Sequence, residues 1–129
     1  MPLHITAIYA LALSLIGSYL AFRAGSLRGK TGISIWYGDN QQLALEMRRH
    51  GNFVEFVPLT LILMSIVELN GISPWVLHAA GLLTVVSRIL HPIGLDAQTL
   101  SNPLRGIGAG GTLLGSVILM GAIVVQLLR

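Results

Sequence analysis

Leu3-His4-Ile5-Thr6-Ala7-Ile8-Tyr9-Ala10-Leu11-Ala12-Leu13-Ser14-Leu15-Ile16-Gly17-Ser18-Tyr19-Leu20-Ala21-Phe22 contains no aspartate, glutamate, lysine or arginine. At about 20 residues it is as long as a helix must be to cross a hydrocarbon core of roughly 30 Å. A signal peptide would need a basic n-region, which is missing here, and an apolar core of only about 7–15 residues. The stretch reads as a membrane span. Outward from it, the rest of the chain has the same character: of 129 residues, 53% are hydrophobic and only 10% charged. An ordinary soluble domain carries about a quarter charged residues, so most of this surface does not face water.

Charged residues divide the remainder into three further apolar stretches. A polar connection runs from Arg23 to about Asn40 and holds Arg28 and Lys30. Asp39 or Asn40 can then cap a helix over Gln41–Leu69 by accepting from its free N–H groups. That helix would be roughly 43 Å long, more than the hydrocarbon thickness, so its first turns with Glu46, Arg48 and Arg49 are expected at the interface. Pro58 removes one backbone donor and predicts a kink. Asn70-Gly71-Ile72 reads as a tight turn, with Ser73 as N-cap and Pro74 opening a third helix. Trp75 suits the interfacial belt, Arg88 and His91 mark the far end, and Pro92 and Gly94 weaken the helix beyond. A connection from Asp96 to Pro103 leads to the last span, whose Gly106/Gly110 and Gly111/Gly115 pairs have the spacing that lets helices approach closely. The expected fold is an all-α membrane protein: one domain over residues 1–129, a four-transmembrane-helix bundle with helices about 3–22, 41–69, 74–95 and 104–128.

The arginines set the orientation. Arg23, Arg28 and Lys30 lie in the first connection with Arg48 and Arg49 just beyond, Arg88 and Arg105 flank the third, and the second has none. The positive-inside rule puts connections one and three in the cytoplasm and both termini outside, with Arg129 alone running against it. Nucleic acid is not an expected partner, since there is no basic run, RNA-binding motif or zinc spacing. The absence of cysteine excludes disulfides and thiolate metal sites. His4 and His78 read as interfacial rather than ligands, no metal site is expected, and Glu68 reads as solvated at the outer end of the second helix. His91, one turn after Arg88, can line a site or bond within the bundle.

The chemistry concentrates in Arg48-Arg49-His50-Gly51-Asn52-Phe53-Val54-Glu55-Phe56-Val57-Pro58. At about 100° per residue, Asn52 and Glu55 lie roughly 40° and 20° from Arg48 around the helix axis, forming a polar stripe about 10 Å long that enters the apolar region. A carboxylate at that depth normally faces the bundle interior and has a partner. A structural pairing of Glu55 with Arg88 or Arg48 is one reading. A functional site is the other.

Arg48-x-x-x-Asn52-x-x-Glu55-x-x-Pro58 resembles the second-helix signature of the MAPEG family, the membrane-associated proteins of eicosanoid and glutathione metabolism. His50 to Leu59 is similar to the bacterial members, and the four-span order matches along almost the whole chain. The resemblance implies a homotrimer in a bacterial inner membrane, with termini in the periplasm and glutathione held between subunits near the cytoplasmic face. Carried over, Arg48 would pair with a glutathione carboxylate, Asn52 would hydrogen-bond its backbone and Glu55 would receive its α-ammonium group. A planar guanidinium suits a carboxylate because it gives two parallel bonds. Arg88 resembles the third-helix arginine of the family, and Arg23 or Arg28 its first-helix arginine. Pro103-Leu104-Arg105 resembles the Pro-x-Arg whose arginine activates the thiol, and a cation there lowers the thiol pKa towards the nucleophilic thiolate. One departure stands out: the synthases carry a tyrosine about where Leu95 sits, so eicosanoid synthesis is not expected.

The implied activity is a glutathione-dependent transferase or peroxidase, resembling the microsomal glutathione transferases, that acts on small hydrophobic electrophiles dissolved among the membrane lipids. The alternative of the same fold is a non-enzymatic lipid-binding or scaffold protein. A proton-coupled multidrug exporter of similar length needs a carboxylate in its first helix, and the first 22 residues hold none.

Overall fold

A computed structural model describes residues 2–128; Arg129 lies outside them. The chain forms four helices, α1 (His4–Thr31), α2 (Gln41–Leu69), α3 (Pro74–Gly94) and α4 (Pro103–Leu127), each containing a stretch long and apolar enough to cross a membrane. α3 packs most extensively on α4 and α1 on α2; α2 also meets α3 and α4, and α1 meets α3. Among the described residues α1 and α4 are diagonal and do not pair.

The first helix corrects the expected boundary. It does not end at Phe22 but continues for nine residues through Arg23, Arg28 and Lys30. Charge moves a helix out of hydrocarbon without breaking it, and nothing breaks the backbone until Gly32, which closes the helix in the left-handed conformation with φ 69°. Arg28 and Lys30 fall in its last turn, where cations complement the carbonyl end of the helix dipole.

Of the two possible caps for α2, Asn40 serves: its side chain accepts from the Leu43 N–H at 2.9 Å. α2 runs unbroken through Pro58, and α3 through Pro92 as far as Gly94. Ser73 stands before α3, but its side chain forms no capping bond. Its backbone carbonyl takes the Val76 N–H instead, and Pro74 at the first turn has no N–H to satisfy. Asn102 caps α4 by accepting from Leu104 N–H at 2.9 Å.

Glu68 is only partly exposed and is engaged in the fold. Its two carboxylate oxygens accept the Ile5 and Thr6 N–H groups, each at 2.7 Å, and so close the N-terminus of α1 from the end of α2. An anion at the positive end of a helix is stabilising. Nearby, the Tyr9 hydroxyl meets His78 Nδ1 at 3.0 Å, which gives that histidine a partner inside the bundle.

The α3–α4 seam is built from glycines. A Cβ on Gly108 would lie 2.6 Å from the His91 backbone nitrogen, and one on Gly115 3.2 Å from the Ala80 carbonyl; Gly111 lies against Ser87. Gly106 and Gly110 have open space instead, so only one of the two sequence pairs serves this contact. Gly108→Ala should therefore force the two backbones apart and cost about 1–3 kcal/mol. Thermal unfolding in mild detergent checks this, with Gly110→Ala as the unstrained control.

Candidate functional site

The predicted site arginines gather at one end of the bundle, and all but Arg28 fall into three separate arrangements. The first is on the outward face of α2. Arg48 and Glu55, two turns apart, form a bidentate pair with Nη1–Oε1 at 2.7 Å and Nη2–Oε2 at 3.2 Å. Their side chains are 57% and 49% exposed on the isolated subunit. Glu55 thus has the partner its depth requires, yet it does not face the bundle interior as expected. The buried positions of α2, including Leu43, Phe53, Val57 and Thr60, take the other face.

Between Arg48 and the opening of α4 lies a cleft of about 700 Å³, lined by Tyr37, Asp39, Arg48, Leu95, Asp96 and Arg105 among others. The structure therefore places Arg48 and Arg105 on one cavity. Arg105 donates to the Leu100 carbonyl at 3.4 Å, too long to hold the guanidinium firmly. Across the cleft Asp96 accepts from the Gln98 N–H at 2.6 Å, a bond that favours the anion and holds its carboxyl below the usual range. Cations and anions thus face the same space. Leu95, at the position of the family tyrosine, is buried and offers no hydroxyl.

The second arrangement lies behind the first. Arg88, only 2% exposed, donates from Nη1 to Asn52 Oδ1 at 2.9 Å and from Nη2 to the Gly108 carbonyl at 3.0 Å. Its guanidinium also rests 5.7 Å from the Phe56 ring centre. Asn52 is accordingly turned inward by Arg88 rather than aligned with Arg48 and Glu55. His91, also buried, packs against Gly108 in this layer.

The third arrangement was missed in the sequence. Glu46 is covered by its neighbours: it is 3% exposed, and one of its oxygens accepts from both Arg23 at 2.6 Å and Arg49 at 2.7 Å. Arg49 extends further to the Leu95 carbonyl at 2.9 Å, tying α2 to the end of α3. The extra turns of α1 cover this side of α2. The three-residue spacing of Glu46 and Arg49 was the available signal. Arg28 joins none of these groups. It donates to the carbonyls of Ile33 and Trp36 and to the Met47 sulfur, at 3.0–3.1 Å, clamping the first connection where Trp36 has φ 57°.

The outward Arg48–Glu55 stripe, the inward Asn52 and the arginines opening α4 and closing α3 sit on a four-span chain whose residues 6–125 match the sequence model of the MAPEG family. The chain belongs to the MAPEG family. It is 30% identical over 90 residues to Inner membrane protein YecN of Escherichia coli strain K12, a match covering 70% of this chain and 69% of that protein. YecN of Escherichia coli O6:H1 is similar to the same extent. No solved structure gives a significant match. This MAPEG chain is an integral membrane protein, and among its described residues no group of three His, Cys, Asp or Glu side chains is placed to hold a metal ion.

Proposed function

We propose that this MAPEG protein binds glutathione at the Arg48–Glu55 face and uses its thiolate to attack small hydrophobic electrophiles that arrive from the bilayer. One observation carries the reading: an exposed, bidentate guanidinium–carboxylate pair beside a cleft that also holds Arg105. Glutathione carries carboxylates and an ammonium group. It can insert between the two side chains so that Arg48 meets a carboxylate and Glu55 the ammonium, leaving charge balanced throughout. Arg88 then acts as a positioning residue, holding Asn52 in place.

The protein would sit in an inner membrane with its termini in the periplasm and the arginine-rich end in the cytoplasm. Arg48 and Glu55 cannot face lipid tails without heavy cost, and Val54, Phe56 and Leu59 are exposed along the same helix. A neighbouring subunit covering the charged pair would remove that cost, which supports a homotrimer with the site between copies. In the reaction the thiol proton passes to water, the thiolate sulfur forms a bond to the electrophilic carbon, and the leaving group departs with its electron pair.

Arg105 is the activating cation in this account. Free thiols near pKa 8.5 are mostly protonated at neutral pH, and lowering that value by one unit requires about 1.4 kcal/mol of selective stabilisation. In Arg105→Ala the bound thiol should titrate about one unit or more higher, read from thiolate ultraviolet absorbance, while much of the tripeptide affinity remains. A titration identical to that of the parent protein would make Arg105 a structural residue.

A further inference from the structure

A second cavity, of about 490 Å³, opens between α1 and α3, away from the Arg48 cleft. Its volume falls within the range of roughly 300–1,000 Å³ common to ligand sites. Leu15, Ile16, Ile89 and Ile93 supply apolar walls, and Arg23, Arg49 and Arg88 also line it. Leu15 and Arg23 are eight residues apart on α1, so the groove runs about 12 Å along the helix.

The charges at this groove do not balance. Three guanidinium groups stand against a single carboxylate, Glu46, which pairs with Arg23 and Arg49. Arg88 meets only neutral acceptors, and among the described residues no carboxylate pairs with it. The Nε atoms of Arg49 and Arg88 are buried without hydrogen-bond partners. The groove thus carries two positive charges more than its single carboxylate balances, whereas an ionisable group in a membrane protein's interior normally has a counter-charge. Arg23 is the accessible member: its side chain is 41% exposed, only its Nη2 is engaged by Glu46, and its guanidinium lies 5.8 Å from the Tyr19 ring centre.

Arg23 also directly follows the uncharged run that ends at Phe22, so it marks the boundary between hydrocarbon and headgroups. At that level the phosphate of a bilayer lipid meets its acyl chains. Basic pockets between transmembrane helices on the cytoplasmic side are suited to anionic headgroups. We propose that the groove between α1 and α3 holds one anionic phospholipid, its phosphodiester at Arg23 and Arg49 and an acyl chain along Leu15, Ile89 and Ile93. The arginine fork matches the phosphate oxygens, the bound anion offsets the excess charge around Arg88, and the apolar walls take the chain. This site is independent of the thiol reading and survives if that reading fails.

The test uses the purified full chain, stripped of lipid in mild detergent and titrated by native mass spectrometry with dioleoyl phosphatidylglycerol, dioleoyl phosphatidylcholine or oleate. Phosphatidylglycerol should be retained preferentially. Arg23→Gln should weaken its retention about fivefold, the equivalent of about 1 kcal/mol for one arginine near an anionic headgroup. Ile89→Trp fills the open wall without touching the arginines and should reduce retention while the protein stays folded, so the test does not depend on the tolerance of position 23. Equal retention of both phospholipids, or undiminished retention of phosphatidylglycerol by Ile89→Trp, would overturn the proposal. Preferential retention of oleate over phosphatidylglycerol would assign the groove to free fatty acids and overturn it too.

Discussion

Glu46→Gln should destabilise the folded chain by about 3 kcal/mol. Removing one member of a buried ion pair typically costs about 3–5 kcal/mol because the remaining charge is left uncompensated. Here the carboxylate is 3% exposed and serves two guanidinium groups through one oxygen. The lower end of the range applies because Arg23 is 41% exposed and can be hydrated once released, whereas Arg49 is only 16% exposed. Arg48→Gln supplies the contrast. It breaks a pair whose side chains are about half exposed on a single subunit, and such a pair contributes only about 0–1 kcal/mol to the fold of that subunit. Thermal unfolding of the two variants in the same detergent should separate them clearly. Equal losses would mean that the Arg48–Glu55 pair supports the fold as much as the buried cluster does.

Glu55→Gln should weaken glutathione binding by about 1.5–3 kcal/mol while changing stability little. That range is the value of a hydrogen bond to a charged group, and it corresponds to roughly 10- to 150-fold in affinity. Gln preserves the volume and the accepting oxygen but removes the charge that would receive the α-ammonium group. The half-exposed position of Glu55 explains why folding should be spared. Isothermal calorimetry against the parent protein reads the difference. Normal binding combined with easier unfolding would return Glu55 to the role of a structural partner for Arg48.

The fold was largely legible because hydrocarbon length is a strong constraint. Four apolar stretches of spanning length, separated by clusters of arginine, polar residues and turn formers, leave few arrangements. Boundaries were less legible. Arg23 reads as the start of a connection, yet α1 continues to Thr31, because the end of the hydrophobic run and the end of the helix are set by different forces. Periodicity correctly aligned Arg48 with Glu55 on one side of α2, but it did not fix which side faces outward. Asn52 shows the limit clearly: the backbone puts it near the stripe, while Arg88 on α3 draws its side chain inward. The contacts of Glu46 and Glu68 were not read from the sequence. Each is engaged by a segment distant in sequence, Glu46 by α1 and Glu68 by the first turn of the same helix, and such contacts leave no local pattern.

The most direct measurement of the central claim is calorimetric titration of the detergent-purified, folded protein with glutathione. The Arg48–Glu55 face and the Arg105 cleft predict saturable heat as glutathione rises through the millimolar range, lost when both Arg48 and Glu55 are replaced by neutral residues. No heat across that range, from a protein that remains folded and assembled, would contradict the glutathione site and favour a non-enzymatic lipid-binding or scaffold role for the same fold.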